Sequence, residues 1–218
     1  MRESGLLRCG VAHGFGLRDV PEPPDLLRPR QVHGCRVVTA EQCRSDPAPE
    51  ADAVISFEAG VPVGVVTADC VPVLLASQCG DAVAAVHAGW RGLAAGVVAQ
   101  SVDALRRRGC STRLVAAIGP RIGPCCYEVD APVLDALAGA FGARSLAAAT
   151  GAARSGHAML DLGALTADAL RSAGLLEDDI ALLSDCCTRC DATRFHSYRR
   201  DGARSGRLVH HVSVRTHA

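Results

Sequence analysis

The sequence predicts one domain of the mixed α+β class. Three observations carry this. The 218 residues are 49% apolar, ample for one buried core, although length alone also permits two small domains. Apolar runs of strand length outnumber the helical patterns. Several of those runs are joined by tight turns, which suits an α+β domain better than a doubly wound parallel sheet. Aromatic residues supply only 3% of the chain, so Ala, Val and Leu are expected to fill the interior.

Taken in order, residues 1–30 read as an irregular lead-in, rich in Pro and Arg, ending in Leu27-Arg28-Pro29-Arg30. Residues 63–67 read as a buried strand and 71–76 as another after a short break. Ser77-Gln78-Cys79-Gly80-Asp81 is a turn, and 82–87 is a third apolar strand. Gly92 then precedes Leu93, Val97, Val98, Val102 and Leu105, which recur at helical spacing on one face. Arg106, Arg107 and Arg108 oppose the negative end of that helix dipole, and Gly109 stops it. Residues 114–118 form a strand ending in Gly119-Pro120. Asp130 is the expected cap of a helix through Phe141, with Pro132 tolerated in its first turn. A helix over 164–172 closes at Gly174, a strand occupies 180–183, and a last strand over 207–214 follows the turn Asp201-Gly202.

Composition excludes several functions. The 23 basic and 23 acidic residues cancel, which leaves no net attraction for a polyanion, so nucleic acid is not an expected partner. All the basic residues are arginine, a bias that a GC-rich genome explains. Its consequence is chemical. Schiff-base lysines and Walker phosphate loops are excluded, and anion recognition falls to the planar fork of arginine. Met1 to Arg8 lacks the apolar core of a signal peptide, and no run approaches the roughly 18 apolar residues of a membrane span. The expectation is a soluble, cytoplasmic protein with no membrane partner, a monomer or homodimer. Its eleven cysteines should be mostly reduced there, and their odd number argues against a fully paired disulfide framework.

Three segments place reactive side chains where strands end: Gln31-Val32-His33-Gly34, Thr67-Ala68-Asp69-Cys70-Val71-Pro72 and Val86-His87-Ala88-Gly89-Trp90-Arg91-Gly92. A rigid sheet edge followed by Gly or Pro presents such groups to a pocket. Two imidazoles and a thiolate would make a three-ligand zinc site whose fourth position stays open, the pattern of catalytic zinc. Residue types alone leave this open against an ordinary reading, in which a small cysteine packs in the core and the histidines are hydrogen-bonded polar groups.

Taken together, these segments resemble the YfiH/YlmD family, first called multicopper polyphenol oxidase (laccase) and also peptidoglycan editing factor. Ile118-Gly119-Pro120-x-Ile122-Gly123, Tyr127-Glu128-Val129 and the run from Asp185-x-Cys187-Thr188-x-Cys190 to Phe195-x-Ser197-Tyr198-Arg199-Arg200-Asp201, ending at Gly206-Arg207, are similar too. The resemblance covers residues from about 30 to 210 in family order. It implies a YfiH-like fold, a β-sandwich of mixed sheets flanked by helices, filling the chain as a single domain over 1–218. It also implies purine nucleoside phosphorylase activity on adenosine, inosine or methylthioadenosine with phosphate, adenosine deamination beside it, and zinc ligands at His33, Cys70 and His87. The family's N-terminal region is longer. His13-Gly14-Phe15-Gly16-Leu17-Arg18 reads as its remnant, which puts substrate range and rate in question.

For phosphorolysis, Arg91 is the first candidate to hold the anion, with Arg199 and Arg30 as alternatives. Asp69 is a candidate to orient a ligand histidine, or else caps a turn. Copper would suit the same two nitrogens and one sulfur. A true multicopper oxidase, however, needs about ten histidines in paired HxH motifs, and this chain has eight histidines and no HxH. Two other rivals are a cysteine hydrolase acting on peptidoglycan precursors, with Cys70 as nucleophile and His87 as base, and a non-enzymatic metal-binding module. Cys187-x-x-Cys190 has the spacing of a metal knuckle or redox pair. Its only companions are Cys125-Cys126 and Cys186, which favours core packing or a disulfide over a second metal. His210-His211 should face opposite sides of a strand, which disfavours joint ligation. His157, His196 and His217 carry no reading.

Overall fold

The most apolar part of the chain becomes the middle of its largest sheet. The computed structural model describes residues 1–216, so His217 lies outside the described residues. Along the chain run α1 (Ser4–Arg8), β1 (Ala12–Gly14), β2 (Val37–Thr39), β3 (Ala53–Ser56), β4 (Pro62–Thr67), β5 (Val71–Ser77) and β6 (Val83–Ala88). Then follow α2 (Trp90–Ala94), α3 (Val97–Arg107), β7 (Leu114–Ile118), β8 (Glu128–Asp130), α4 (Ala131–Ala148), β9 (Thr150–Gly151) and β10 (His157–Leu160). The chain closes with α5 (Leu162–Ser172), β11 (Ile180–Leu182), α6 (Tyr198–Asp201) and β12 (Leu208–Ser213).

Six strands form a mixed sheet in the order β11-β7-β5-β6-β3-β2. Its outermost pairs, β11 with β7 and β2 with β3, are parallel, and the three inner ladders are antiparallel. β5 and β6 are buried along their whole length because both faces of the sheet are covered. That is why they read as unbroken apolar runs and not as alternating ones. On one face, Val71, Val73, Leu75, Ala84 and Val86 pack with Leu93, Val98, Val102, Leu105 and Leu165 of the helices. On the other, Leu74, Ala76, Val83 and Ala85 meet Val63, Val65 and Val212 of a second sheet, ordered β1-β12-β4. The result is the α+β class: a mixed sheet and a smaller antiparallel sheet packed as a sandwich, with helices on the outer face. A small third sheet, β8-β10-β9, lies apart from these. Truncating a fully buried side chain such as Leu74 to Ala would cost about 2–5 kcal/mol. No helix among the described residues is long and apolar enough to cross a membrane.

Several elements differ from the sequence expectation. The single helix expected from Leu93 is two, α2 and α3, separated at Gly96, whose φ of 84° lies in the left-handed region that a helix interior cannot hold. Asp130 occupies the N-cap position of α4, but its side chain makes no capping bond, and the helix runs past Phe141 with a bend at Gly142. The lead-in is not wholly irregular. Glu3 caps α1 by accepting from the Gly5 and Leu6 N–H groups at 2.7 and 2.9 Å, and β1 joins the second sheet. Strands β2, β3, β8, β9 and β10 span four residues or fewer, too short for periodicity to mark them. His210 is buried and its neighbour His211 half-buried, as opposite faces of a strand require.

Candidate functional site

The sheet register brings the first two site residues together. Ala53 on β3 pairs with Val86 on β6, so Asp52 and His87 are neighbours, and the His87 N–H donates to the Asp52 carbonyl at 2.8 Å. The same residues meet through their side chains, His87 Nδ1 lying 2.8 Å from Asp52 Oδ1. Asp52 is fully buried and His87 is 2% exposed. The Asp52 carboxylate also accepts from the backbone N–H groups of Val32, His33 and Gly34 at 3.3, 2.9 and 2.6 Å. One carboxylate therefore fixes the His87 ring and the loop that carries His33. That loop needs fixing, because His33 has φ 60°, a left-handed conformation that costs a non-glycine residue about 1–3 kcal/mol.

Cys70 enters from the break between β4 and β5, directly after Asp69, whose φ is 104°. The donor atoms of His33, Cys70 and His87 all lie within 4.8 Å of one another, and the two imidazole rings meet edge to face at 4.9 Å between centroids. Gly89 closes the cradle. A Cβ there would sit 3.1 Å from His33 Cδ2 and 3.2 Å from Cys70 Sγ.

Burial opposes ionisation of Cys70, but hydrogen bonds from His33 and His87 outweigh it and bring the thiol down to about 6. Burial likewise opposes the charged form of His87, yet its bonds to Asp52 and Cys70 raise it to about 9. Asp52 resists the same penalty through His87 and its N–H donors, which hold it below the ordinary carboxylate range. A poised thiolate beside two imidazoles, one already oriented through its far nitrogen by a carboxylate, is a donor set that fits a divalent transition metal.

The trio faces a cavity of about 730 Å³, within the size range of small-molecule sites. Trp90, Ile122, Tyr127 and Leu162 give it apolar walls, and Arg28, Arg30, Arg199 and Arg207 give it positive charge. Burial, followed by the charge at Cys70, pushes the Tyr127 phenol up to about 12.

The remaining expected residues are divided. Arg91 is exposed and stacks over the Trp90 ring at 4.4 Å, outside the cavity lining. Its side chain follows the helical turn of α2 outward. Arg30 lines the cavity but is ion-paired with Glu50. Arg199 lines it with its guanidinium 5.2 Å over Tyr127. Asp69 does not orient a histidine. Its carboxylate accepts from Thr188 Oγ1 and from the Arg199 N–H, both at 2.6 Å, so it acts on the Arg199 loop and the histidine partner is Asp52. Sequence reasoning missed Asp52, Arg28 and Arg207. An acid opening the apolar run Ala51-Asp52-Ala53-Val54-Ile55 was the available sign of the first.

Comparison with known proteins agrees with this fold. A sequence model of the family described as multi-copper polyphenol oxidoreductase laccase matches residues 17–215. A purine nucleoside phosphorylase of Xylella fastidiosa is 40% identical over 196 residues, covering 87% of this chain and 72% of the relative. Adenosine deaminase RL5, from an unknown prokaryotic organism, is 37% identical over 193 residues, covering 84% and 72%. The crystal structure of YlmD from Geobacillus stearothermophilus superposes with a TM-score of 0.79 at 30% identity, covering 88% of this chain and 74% of that one. By its fold, its motifs and this match, the chain belongs to the YfiH/YlmD family of multi-copper polyphenol oxidoreductase laccase proteins.

Proposed function

We propose that this chain is a zinc-dependent purine nucleoside phosphorylase, converting adenosine, inosine or methylthioadenosine and phosphate into free base and pentose 1-phosphate. The observation that carries the reading is the convergence of His33, Cys70 and His87 within 4.8 Å at the wall of an arginine-ringed cavity. Relatives named purine nucleoside phosphorylase support it.

A zinc ion held by His33, Cys70 and His87 would supply Lewis acidity at the position left open toward the cavity. The chain's own residues do the rest. Arg199 and Arg207 have no carboxylate partner among the described residues, whereas Arg28 and Arg30 are paired with Glu22 and Glu50. Arg199 donates to the Glu128 carbonyl and Arg207 to the Ser205 and Gly206 carbonyls, so their charge is uncompensated and their remaining N–H groups can hold phosphate. Asp69 fixes the backbone from which Arg199 projects. Trp90 and Tyr127 flank the space for a purine, and the Tyr127 phenol stays protonated as a hydrogen-bond donor. Orienting phosphate against a bound nucleoside, with charge support for an oxocarbenium-like transition state, accounts for the required rate effect.

Adenosine deamination is the second reading, favoured by the relative named adenosine deaminase.

The test is adenine release from adenosine with and without phosphate, for wild type and Cys70→Ala. Phosphate-dependent adenine and ribose 1-phosphate, lost in the variant, support phosphorolysis. Inosine without free base moves the assignment to deamination. Zinc-loaded protein that turns over no nucleoside overturns both, and an alkylatable, zinc-free Cys70 would turn attention to the thiol hydrolase.

A further inference from the structure

We infer that Cys125, Cys126, Cys187 and Cys190 form a second metal centre, a four-thiolate structural zinc site that clips together the two loops behind the cavity wall. The inference stands on its own geometry and does not require the trio at His33, Cys70 and His87 to hold metal.

The four cysteines come from two turns about sixty residues apart in the chain, and their sulfur atoms all lie within 4.8 Å of one another. Cys190 Sγ is 3.6 Å from Cys125 Sγ and 3.3 Å from Cys126 Sγ. A disulfide needs about 2.05 Å, whereas a tetrahedron of sulfurs at the zinc–thiolate distance of about 2.3 Å has edges of about 3.8 Å. The observed separations are far from the first arrangement and lie nearer the second. Four sulfurs and no nitrogen or oxygen donor select a soft, tetrahedral ion.

The surrounding backbone has the form such a centre requires. Cys187 Sγ accepts from the Gly123 N–H at 3.2 Å and also from the N–H of Cys190, closing the Cys-x-x-Cys turn around its own sulfur. Arg189, inside that turn, places a guanidinium 3.5 Å from Cys126 Sγ, which offsets excess thiolate charge. Gly123 leaves the room for this approach, since a Cβ there would meet Cys125 Sγ and the Cys187 Cβ at 3.3 Å.

The centre's consequence lies next door. Cys125 and Cys126 fall between Ile122 and Tyr127, both on the cavity wall. Thr188, between Cys187 and Cys190, donates to the Asp69 carboxylate that holds the Arg199 loop. A metal across the two turns would fix Tyr127 and Arg199 relative to each other.

The experiment uses the full chain purified under reducing conditions. Cys70→Ala protein, lacking a donor of the cavity trio, should retain about one zinc per chain. Cobalt(II) put in its place should give the strong thiolate-to-metal absorption of a four-sulfur site. Adding Cys187→Ser and Cys190→Ser should abolish both. Independently of how the serine variant folds, zinc should slow alkylation of Cys125, Cys126, Cys187 and Cys190 in the wild type at least tenfold, read by peptide mass spectrometry. Half-buried Cys35 and Cys79 serve as internal references. Equal alkylation of the four with and without zinc, or a disulfide joining Cys190 to Cys125 or Cys126 in place of metal, overturns the inference. If only the trio fails to bind, protection of the four persists and the phosphorylase reading alone is affected.

Discussion

Asp52 and His87 are joined twice, once through the backbone and once through the side chains, each at 2.8 Å. The β3–β6 register creates the first bond, and burial makes the second effective, because no water competes for the carboxylate. An imidazole held this way presents its other nitrogen in one fixed direction. Asp52→Asn keeps the volume and removes the charge. It should weaken zinc binding about 10–100-fold, measured by competition with a chromogenic chelator. Asp52→Ala should do the same and also lower Tm, because three loop N–H groups lose their acceptor. Unchanged affinity in both variants would remove Asp52 from the site.

Gly89 tests how tightly the trio is packed. Its φ of −72° and ψ of 163° suit any residue, so alanine brings no backbone strain. The added methyl would press on His33 and Cys70 by a few tenths of an ångström. Gly89→Ala should therefore fold with a Tm near that of the wild type, yet bind zinc about tenfold or more weakly. A large drop in Tm with intact metal binding would assign the glycine to helix entry instead.

The arginines separate by their partners. Arg199→Ala and Arg207→Ala should each raise the KM for phosphate about tenfold or more, the loss of a charge-assisted hydrogen bond. Arg91→Ala, with its side chain stacked outside on Trp90, should change it less than threefold. Steady-state kinetics at varied phosphate decides between them, and the reverse ranking would return the anion site to Arg91.

How much of this was legible in the sequence depended on whether a residue's role was local. β5 and β6 could be read because burial on both faces leaves continuous apolar runs. Cys70 and His87 could be singled out as candidates because strand breaks beside Pro or Gly mark rigid positions at a sheet edge. The break at Gly96 could not, since the apolar spacing of Leu93, Val97 and Val98 continues across it. Asp52 was hidden because its function arises from cross-strand register. The pairing of Cys125-Cys126 with Cys187-x-x-Cys190 was hidden for a similar reason. It depends on the contact of Arg121 with Cys187, which no local spacing encodes. Arg91 illustrates the opposite case, in which a residue beside a site in sequence stacks on Trp90 and does not itself line the cavity.

His210 gives the fold a pH dependence whose main cause is its burial. It is fully buried between the two sheets, where Nδ1 accepts from the Gly16 N–H at 3.2 Å and Nε2 lies 2.8 Å from Thr67 Oγ1. Burial, reinforced by nearby positive charge, lowers its pKa from 6.5 to about 3. Between those values the unfolded chain binds a proton that the folded chain does not. His210 stabilisation is thus complete above pH 6.5 and is lost as pH falls toward 3. The loss runs at about 1.4 kcal/mol per pH unit. His210→Gln can supply a donor to Thr67 and an acceptor to Gly16 without titrating. Urea unfolding from pH 7 to 4 should show the wild type losing stability more steeply than the variant by that slope, with other carboxylates and histidines cancelling in the difference. Parallel curves would mean that His210 is hydrated or already protonated in the folded state.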